Sequence, residues 1–298
     1  MLETLSTPST PTRLLIAGAA ALGLAAVTAL AFFAWQNFYP VQASEGWNVR
    51  VAFEDVAKAA AIVPSPEGGL YVSQELKDGK GSIIHIAPGG ERETLFGGLS
   101  KPDGMVAAQG GLVFSQEGGS APVKLYRQGD VRDLFDGVNV QGLWSDGETL
   151  FAIEDRKRDG RLFRYQWRDQ RLSILRDDLS EAESITRCPD GTMLYSEKEK
   201  GLIRRLSADG TDAPLAVQLD KPSYLLCDSN GLWVSEDLTH RARLLLIEPS
   251  RRVQTILSYL KAPQAITRLA EGRYLVAEGG RDRILEIRLD TPDLAQRN

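Results

Sequence analysis

Six stretches of the chain share one pattern, an apolar run that ends on a carboxylate or its amide. They cover residues 70–75, 112–117, 150–155, 193–198, 232–237 and 274–279, and their equivalent polar ends are Gln74, Gln116, Glu154, Glu197, Glu236 and Glu278. The stretches recur at intervals of about 40 residues, the mark of a repeat architecture. The same order of positions surrounds each. An apolar segment such as Ile62-Val63 or Leu143-Trp144 leads into an Asx-Gly or Glx-Gly pair, from Glu67-Gly68 through Asn230-Gly231 to Glu271-Gly272. Such pairs between apolar runs predict tight hairpins. The polar-ended strand follows, then a polar loop, a third strand (83–86, 161–165, 243–247), a second turn such as Gln128-Gly129, and a fourth strand (131–135, 253–257).

Four antiparallel strands repeated six times predict an all-β fold, a six-bladed β-propeller. The sixth repeat lacks a fourth strand, because the chain runs from Asp290 into a polar tail. Residues 48–53 alternate like a strand and have no partner nearby. Placing this amino-terminal strand in the last blade closes the ring and removes an exposed edge.

Ahead of the repeats, no charge falls between Leu14 and Trp35. At about 1.5 Å per residue this run crosses a hydrocarbon core of about 30 Å, as a transmembrane helix or a signal sequence. Its length exceeds a secretory apolar core, which favours an uncleaved anchor, although Val41-Gln42-Ala43 satisfies a small-residue cleavage rule. Arg13 on the amino side places the globular part outside the cytoplasm. The expected organisation is a disordered tail over 1–13, a transmembrane anchor over 14–36, a linker over 37–46, a propeller over 47–290 and a tail over 291–298.

Composition adds two constraints. The net charge is −5, which argues against a nucleic-acid partner and suits cations or neutral small molecules. Two cysteines, Cys188 and Cys227, sit at equivalent places in adjacent repeats. First strands of neighbouring blades are expected to stand too far apart for a disulfide, so both are read as buried thiols.

In a blade, the start of the first strand and the end of the second reach the same face. Two polar rings are therefore expected there. The outer ring is Gln74, Gln116, Glu154, Glu197, Glu236 and Glu278, several followed by another acid (Glu75, Glu117, Asp155, Asp237). The inner ring is Ala60, Asp103, Gln141, Glu183, Ser223 and Gln264. Basic residues follow the outer acids, so these acids serve either as staples within and between blades or as substrate contacts at Glu154, Glu197, Glu236 and Glu278. His240, in the loop after Asp237, is a candidate base or substrate contact; His85, in a third strand, is read as structural. No Ser-His-Asp set, phosphate loop, zinc spacing or heme motif is present.

The segment Lys101-Pro102-Asp103-Gly104-Met105, with Gly110-Gly111-Leu112-Val113-Phe114 after it, resembles the Pro-Asp-Gly repeat of the senescence-marker-protein/gluconolactonase family. Val140-Gln141-Gly142-Leu143-Trp144 is similar to its Asn-Gly-Leu-x-Trp repeat, with Gln for Asn, and the wider group includes strictosidine-synthase-like proteins. The resemblance implies a divalent cation on the axis, held by inner-ring residues and polarising a lactone or ester carbonyl. Ala60 stands where the family has Glu, so the implied ligands here are Asp103, Glu183, Gln141 and Gln264, with Glu183 or Asp103 as proton acceptor. Oxygen ligands of this kind suit calcium or magnesium. The two functional expectations are a membrane-anchored, metal-dependent lactone or ester hydrolase, and a non-catalytic ligand-binding or scaffold propeller of the cell envelope.

Overall fold

Alternating apolar positions and glycine turns build six four-stranded antiparallel units in a computed structural model of the protein, which describes residues 10–290. Blade 1 is Ala59–Pro64, Leu70–Gln74, Gly81–Ile86 and Arg92–Leu99, and blade 2 is Met105–Ala108, Gly111–Phe114, Ser120–Arg127 and Asp130–Val138. Blade 3 is Val140–Ser145, Thr149–Glu154, Gly160–Gln166 and Arg171–Leu179, and blade 4 is Ile185–Arg187, Met193–Glu197, Leu202–Arg205 and Pro214–Ala216. Blade 5 is Pro222–Asp228, Gly231–Glu236, Ala242–Ile247 and Val253–Leu260. Blade 6 takes Pro263–Ala270, Arg273–Glu278 and Arg283–Leu289 from the end of the chain and Trp47–Phe53 from its beginning. Trp47 pairs with Leu289 and Val51 with Leu285, so the expected closing strand fills the last blade.

The core lies between blades. Each of six apolar clusters bridges one neighbouring pair, as where Trp233 and Leu244 of blade 5 meet Tyr274 and Leu285 of blade 6. Blade 6 reaches blade 1 in the same way, through Leu275 and Ile284 against Val72 and Ile84. Fully burying one such side chain stabilises by roughly 1.5–3 kcal/mol, and the ring shares this gain over every interface.

The helix Thr10–Phe38 precedes the propeller. Its segment Leu14–Phe38 is long and apolar enough to cross a membrane, a test that a signal sequence also meets. The segment expected to be a linker contains a short strand, Gln42–Ala43, which pairs with Ser258 and Leu257 on the outer edge of blade 5. Of the expected tails, residues 1–9 and 291–298 lie outside the described residues.

The cysteines require a correction. Cys188 and Cys227 form a disulfide with a Cα–Cα distance of 4.8 Å. Blades radiate from the axis, so their innermost strands converge. A spacing judged from sheets packed about 10 Å apart overestimates the separation there.

Candidate functional site: the polar mouth of the axial channel

The inner ring owes its exposure to the axis to a local break in each first strand. The ladder shifts register between Ala59 and Ile62, Val140 and Gly142, Pro222 and Leu225, and Pro263 and Ile266. In blades 2 and 4 the regular strand starts only after the inner-ring residue. A bulge frees backbone groups that need partners once buried. Serines of the second strands supply them: Ala61 N–H donates to Ser73 Oγ at 2.8 Å, Ser184 N–H to Ser196 Oγ at 3.1 Å and Tyr224 N–H to Ser235 Oγ at 3.3 Å. Ser115 and Ser196 hydroxyls also donate to the next blade, at Val140 O and Ser223 O, both at 2.8 Å. These serines were missed in the sequence reading, although a Ser before the polar end recurs in Ser73-Gln74, Ser115-Gln116, Ser196-Glu197 and Ser235-Glu236.

All of the expected inner-ring ligands are buried: Asp103, Gln141, Glu183 and Gln264. Gln141 Oε1, Glu183 Oε2, Gln264 Oε1 and the neighbouring Ser223 Oγ have no hydrogen-bond partner. Buried polar atoms are normally satisfied, so oxygens left open on one ring are places for a water, an ion or a small molecule to bind. Lys198 holds the other oxygen of Glu183 in an ion pair and reaches Asp237 at 3.4 Å. Asp103 accepts a hydrogen bond from the Tyr224 hydroxyl, although the two residues belong to blades 2 and 5. Four of the other residues at the position of Tyr224 are Ala61, Gly104, Gly142 and Ala265, and their small size leaves the phenol room. A Cβ on Gly104 would lie 2.3 Å from Gln141 O, and one on Gly142 2.7 Å from Glu183 O, so close contact between blades also requires glycine there.

A second acid layer surrounds this ring. Glu75, Asp103 and Glu117 offer oxygens within 4.8 Å of one another, and Lys101 pairs with Glu117 and with Glu75 at 3.1 Å. Burial, reinforced by the charges of Glu75 and Glu117, raises the Asp103 carboxyl well above the usual range. Burial raises Glu75 as well, against the attraction of Lys101. Asp155 is pushed up to about 6, mainly by burial, and its Oδ1 has no partner. Lys101 pairs with Glu75 and Glu117, and Lys198 with Glu183 and Asp237, whereas no ion pair is made to Asp103 or Asp155 among the described residues.

The outer ring has a different task. Glu154 is fully buried and held in a fork by Arg161, with Nη2 at 2.7 Å and Nε at 3.0 Å. Arg243 holds Glu236 in the same way, Lys200 and Arg204 hold Glu197, and Arg283 holds Glu278 at 2.6 Å. Three of these acids also accept a backbone N–H from the blade before: Glu154 from Val138 at 2.8 Å, Glu197 from Ser180 at 3.4 Å and Glu278 from Lys261 at 2.9 Å. Glu154, Glu197, Glu236 and Glu278, the expected substrate contacts, are thus each engaged by a basic side chain of their own blade, the arrangement that the staple reading expects. His240 is half-buried with Nδ1 unpartnered, whereas His85 contacts Gly68 O at 2.9 Å and packs against the Tyr71 ring at a tilt.

A six-bladed propeller whose axis opens on one face into a ring of unsatisfied oxygens and crowded acids is thus the class of molecule defined here. No protein-family model and no curated protein sequence matches the chain. Solved structures do. A gluconolactonase from Xanthomonas campestris matches with a TM-score of 0.68 and 15% identity over 83% of this chain and 91% of that one. An auxiliary nutrient binding protein from Bacteroides thetaiotaomicron matches with a TM-score of 0.63 and 16% identity over 78% and 69%. A streptogramin B lyase matches with a TM-score of 0.59 and 14% identity over 83% and 100%. At these identities the likeness is one of fold, and it agrees with the architecture implied by the sequence resemblance. The same fold carries a lactonase, a lyase and a binding protein, so the chemistry must be argued from the site.

Proposed function

We propose that the polar mouth binds a small molecule together with a divalent cation, calcium or magnesium, and hydrolyses a lactone or ester bond. The observation that carries this reading is the set of unpartnered inner-ring oxygens on Gln141, Glu183 and Gln264. With Asp103 they form an oxygen-only donor set of the kind hard cations select. A bound cation supplies Lewis-acid polarisation of the substrate carbonyl. Asp103 is oriented by Tyr224, and Lys198 fixes one oxygen of Glu183 so that Oε2 is left for the cation; whichever of Glu183 and Asp103 has an oxygen not taken by the cation accepts a proton from attacking water. His240, at the edge of this face, contacts the substrate.

Ala60, which offers no ligand atom at one of the two remaining inner-ring positions, favours a second reading, a propeller that binds its ligand without turning it over. Two measurements on the purified protein separate them. Calcium or magnesium should bind saturably, and hydrolysis of a γ- or δ-lactone should fall at least a hundredfold in Glu183→Gln. Cation binding without any lactone or ester turnover would leave the binding reading in its place.

The helix Thr10–Phe38 anchors the propeller in a membrane on this proposal, with the propeller on the non-cytoplasmic side. The Cys188–Cys227 disulfide supports that side, since disulfides persist in oxidising compartments. Protease added to cells whose inner membrane is intact but whose outer layers are permeabilised should degrade the propeller; degradation only after the inner membrane is lysed would refute the placement.

A further inference from the structure

Below the inner ring, the six first strands enclose a cavity of about 360 Å³ that leads toward the face opposite the acids. Its walls are apolar, with Ile62, Met105, Trp144, Ile185, Leu226 and Ile266 among them. Tyr224 and Gln141 line its inner end, where the phenol bonds Asp103 across the axis. At the other end stand two arginines, Arg187 and Arg268, each four residues past an inner-ring residue in its own blade. The two ends of the channel therefore differ, with carboxyl groups crowded at one mouth and, at the other, two guanidinium groups each beside a single aspartate.

These arginines are held loosely. Arg187 donates to Asp146 at 3.5 Å and to Gly191 O at 3.3 Å, and Arg268 approaches Asp228 only to 3.9 Å. Asp228 is already engaged by the Tyr274 hydroxyl at 2.6 Å and by Trp233 Nε1 at 3.3 Å. The outer-ring arginines differ: Arg161 and Arg243 each fork a buried carboxylate at 2.5–3.0 Å. Fork geometry is what a guanidinium offers a carboxylate, and at Arg187 and Arg268 much of it is unspent. Apolar walls with a few converging polar groups at the entrance are the usual make-up of a small-molecule site.

We infer that this opposite end of the channel is a separate binding site for a small organic carboxylate with an apolar body. The body lies against the walls around Trp144 and Leu226, and the carboxylate is taken between Arg187 and Arg268. The acid-lined mouth would repel the same ligand, so it enters from the arginine side. This site uses none of the carboxylates assigned to the cation, and its test does not depend on hydrolysis.

Calorimetric titration of the full-length protein in detergent micelles, against a protein-free micelle blank, tests it with 2-naphthoate and its uncharged analogue 2-naphthamide. The expected result is saturable one-to-one binding of naphthoate, at least tenfold tighter than the amide. The double substitution Arg187→Gln with Arg268→Gln should weaken naphthoate at least tenfold and leave the amide unchanged, while Lys at both positions restores part of the loss. Absence of saturable naphthoate binding, equal affinity for the amide, or naphthoate binding unaffected by the Gln pair would each overturn the inference. If the Gln pair lowers the melting temperature enough to compromise folding, the wild-type comparison of naphthoate with naphthamide decides alone.

Discussion

Asp155 shows how the mouth stores an electrostatic cost. Its carboxyl titrates at about 6 because burial opposes ionisation, with Lys198 only partly offsetting this. The unfolded chain ionises such a group near 3.9, so between about pH 4 and 6 the folded state holds the proton more tightly. Stability from this residue is therefore present below about pH 4 and declines as pH rises through 6, by roughly 3 kcal/mol in all. Asp155→Asn should raise the urea midpoint at pH 8 and leave it nearly unchanged at pH 4. A cation in the mouth favours the ionised forms of Asp103, Glu75 and Asp155, all of them raised, so cation affinity should fall as pH drops through 6.

At the end of the second strand, Gln116, Glu154, Glu197 and Glu278 accept a backbone N–H from the preceding blade, and basic side chains of the same blade hold the three glutamates in place. Arg161 and Glu154 illustrate the energetics, because the carboxylate is fully buried and the guanidinium is not. Removing the arginine leaves a buried charge with weaker compensation, so Arg161→Ala should destabilise by about 3 kcal/mol in denaturant melts, with little effect on ligand binding. A loss below about 0.5 kcal/mol would show that the pair is no staple. The strand pattern was legible in the sequence because period-2 alternation and glycine turns recur in all six repeats. The staple role was readable as an alternative, because basic residues follow these acids in sequence, but the partners Arg161, Arg204, Arg243 and Arg283 sit on third strands, where the sequence alone did not single them out from the basic residues of the intervening loops. Tyr224 was invisible for a related reason: its bond to Asp103 spans blades 2 and 5, and sequence spacing carries no information on what meets across an axis. The bulges that turn the inner ring toward the channel were likewise unread, although the Ser-Gln and Ser-Glu pairs that satisfy them stood in plain view.

The propeller is a ring fastened at two places. One is the amino-terminal strand Trp47–Phe53 in blade 6; the other is the disulfide between blades 4 and 5. The cysteines are 39 residues apart, for which the loop-entropy argument gives about 4 kcal/mol of stabilisation. Cys188→Ser with Cys227→Ser should lower stability by an amount of that order, with the propeller still folded. An unchanged melting temperature would mean that interblade packing alone carries the ring. The circular pairing of blades was predicted from the missing sixth-blade strand, whereas the disulfide was not, because radial convergence toward the axis is a property of the closed ring and not of any one repeat.

The central claim is that the inner ring of Asp103, Gln141, Glu183 and Gln264 takes up a divalent cation. Calorimetric titration of the full-length, metal-stripped protein with calcium and with magnesium tests it most directly. The account predicts one saturable site for at least one of them, weakened at least tenfold by Glu183→Gln; no saturable binding of either ion, or binding that Glu183→Gln leaves unchanged, would contradict it.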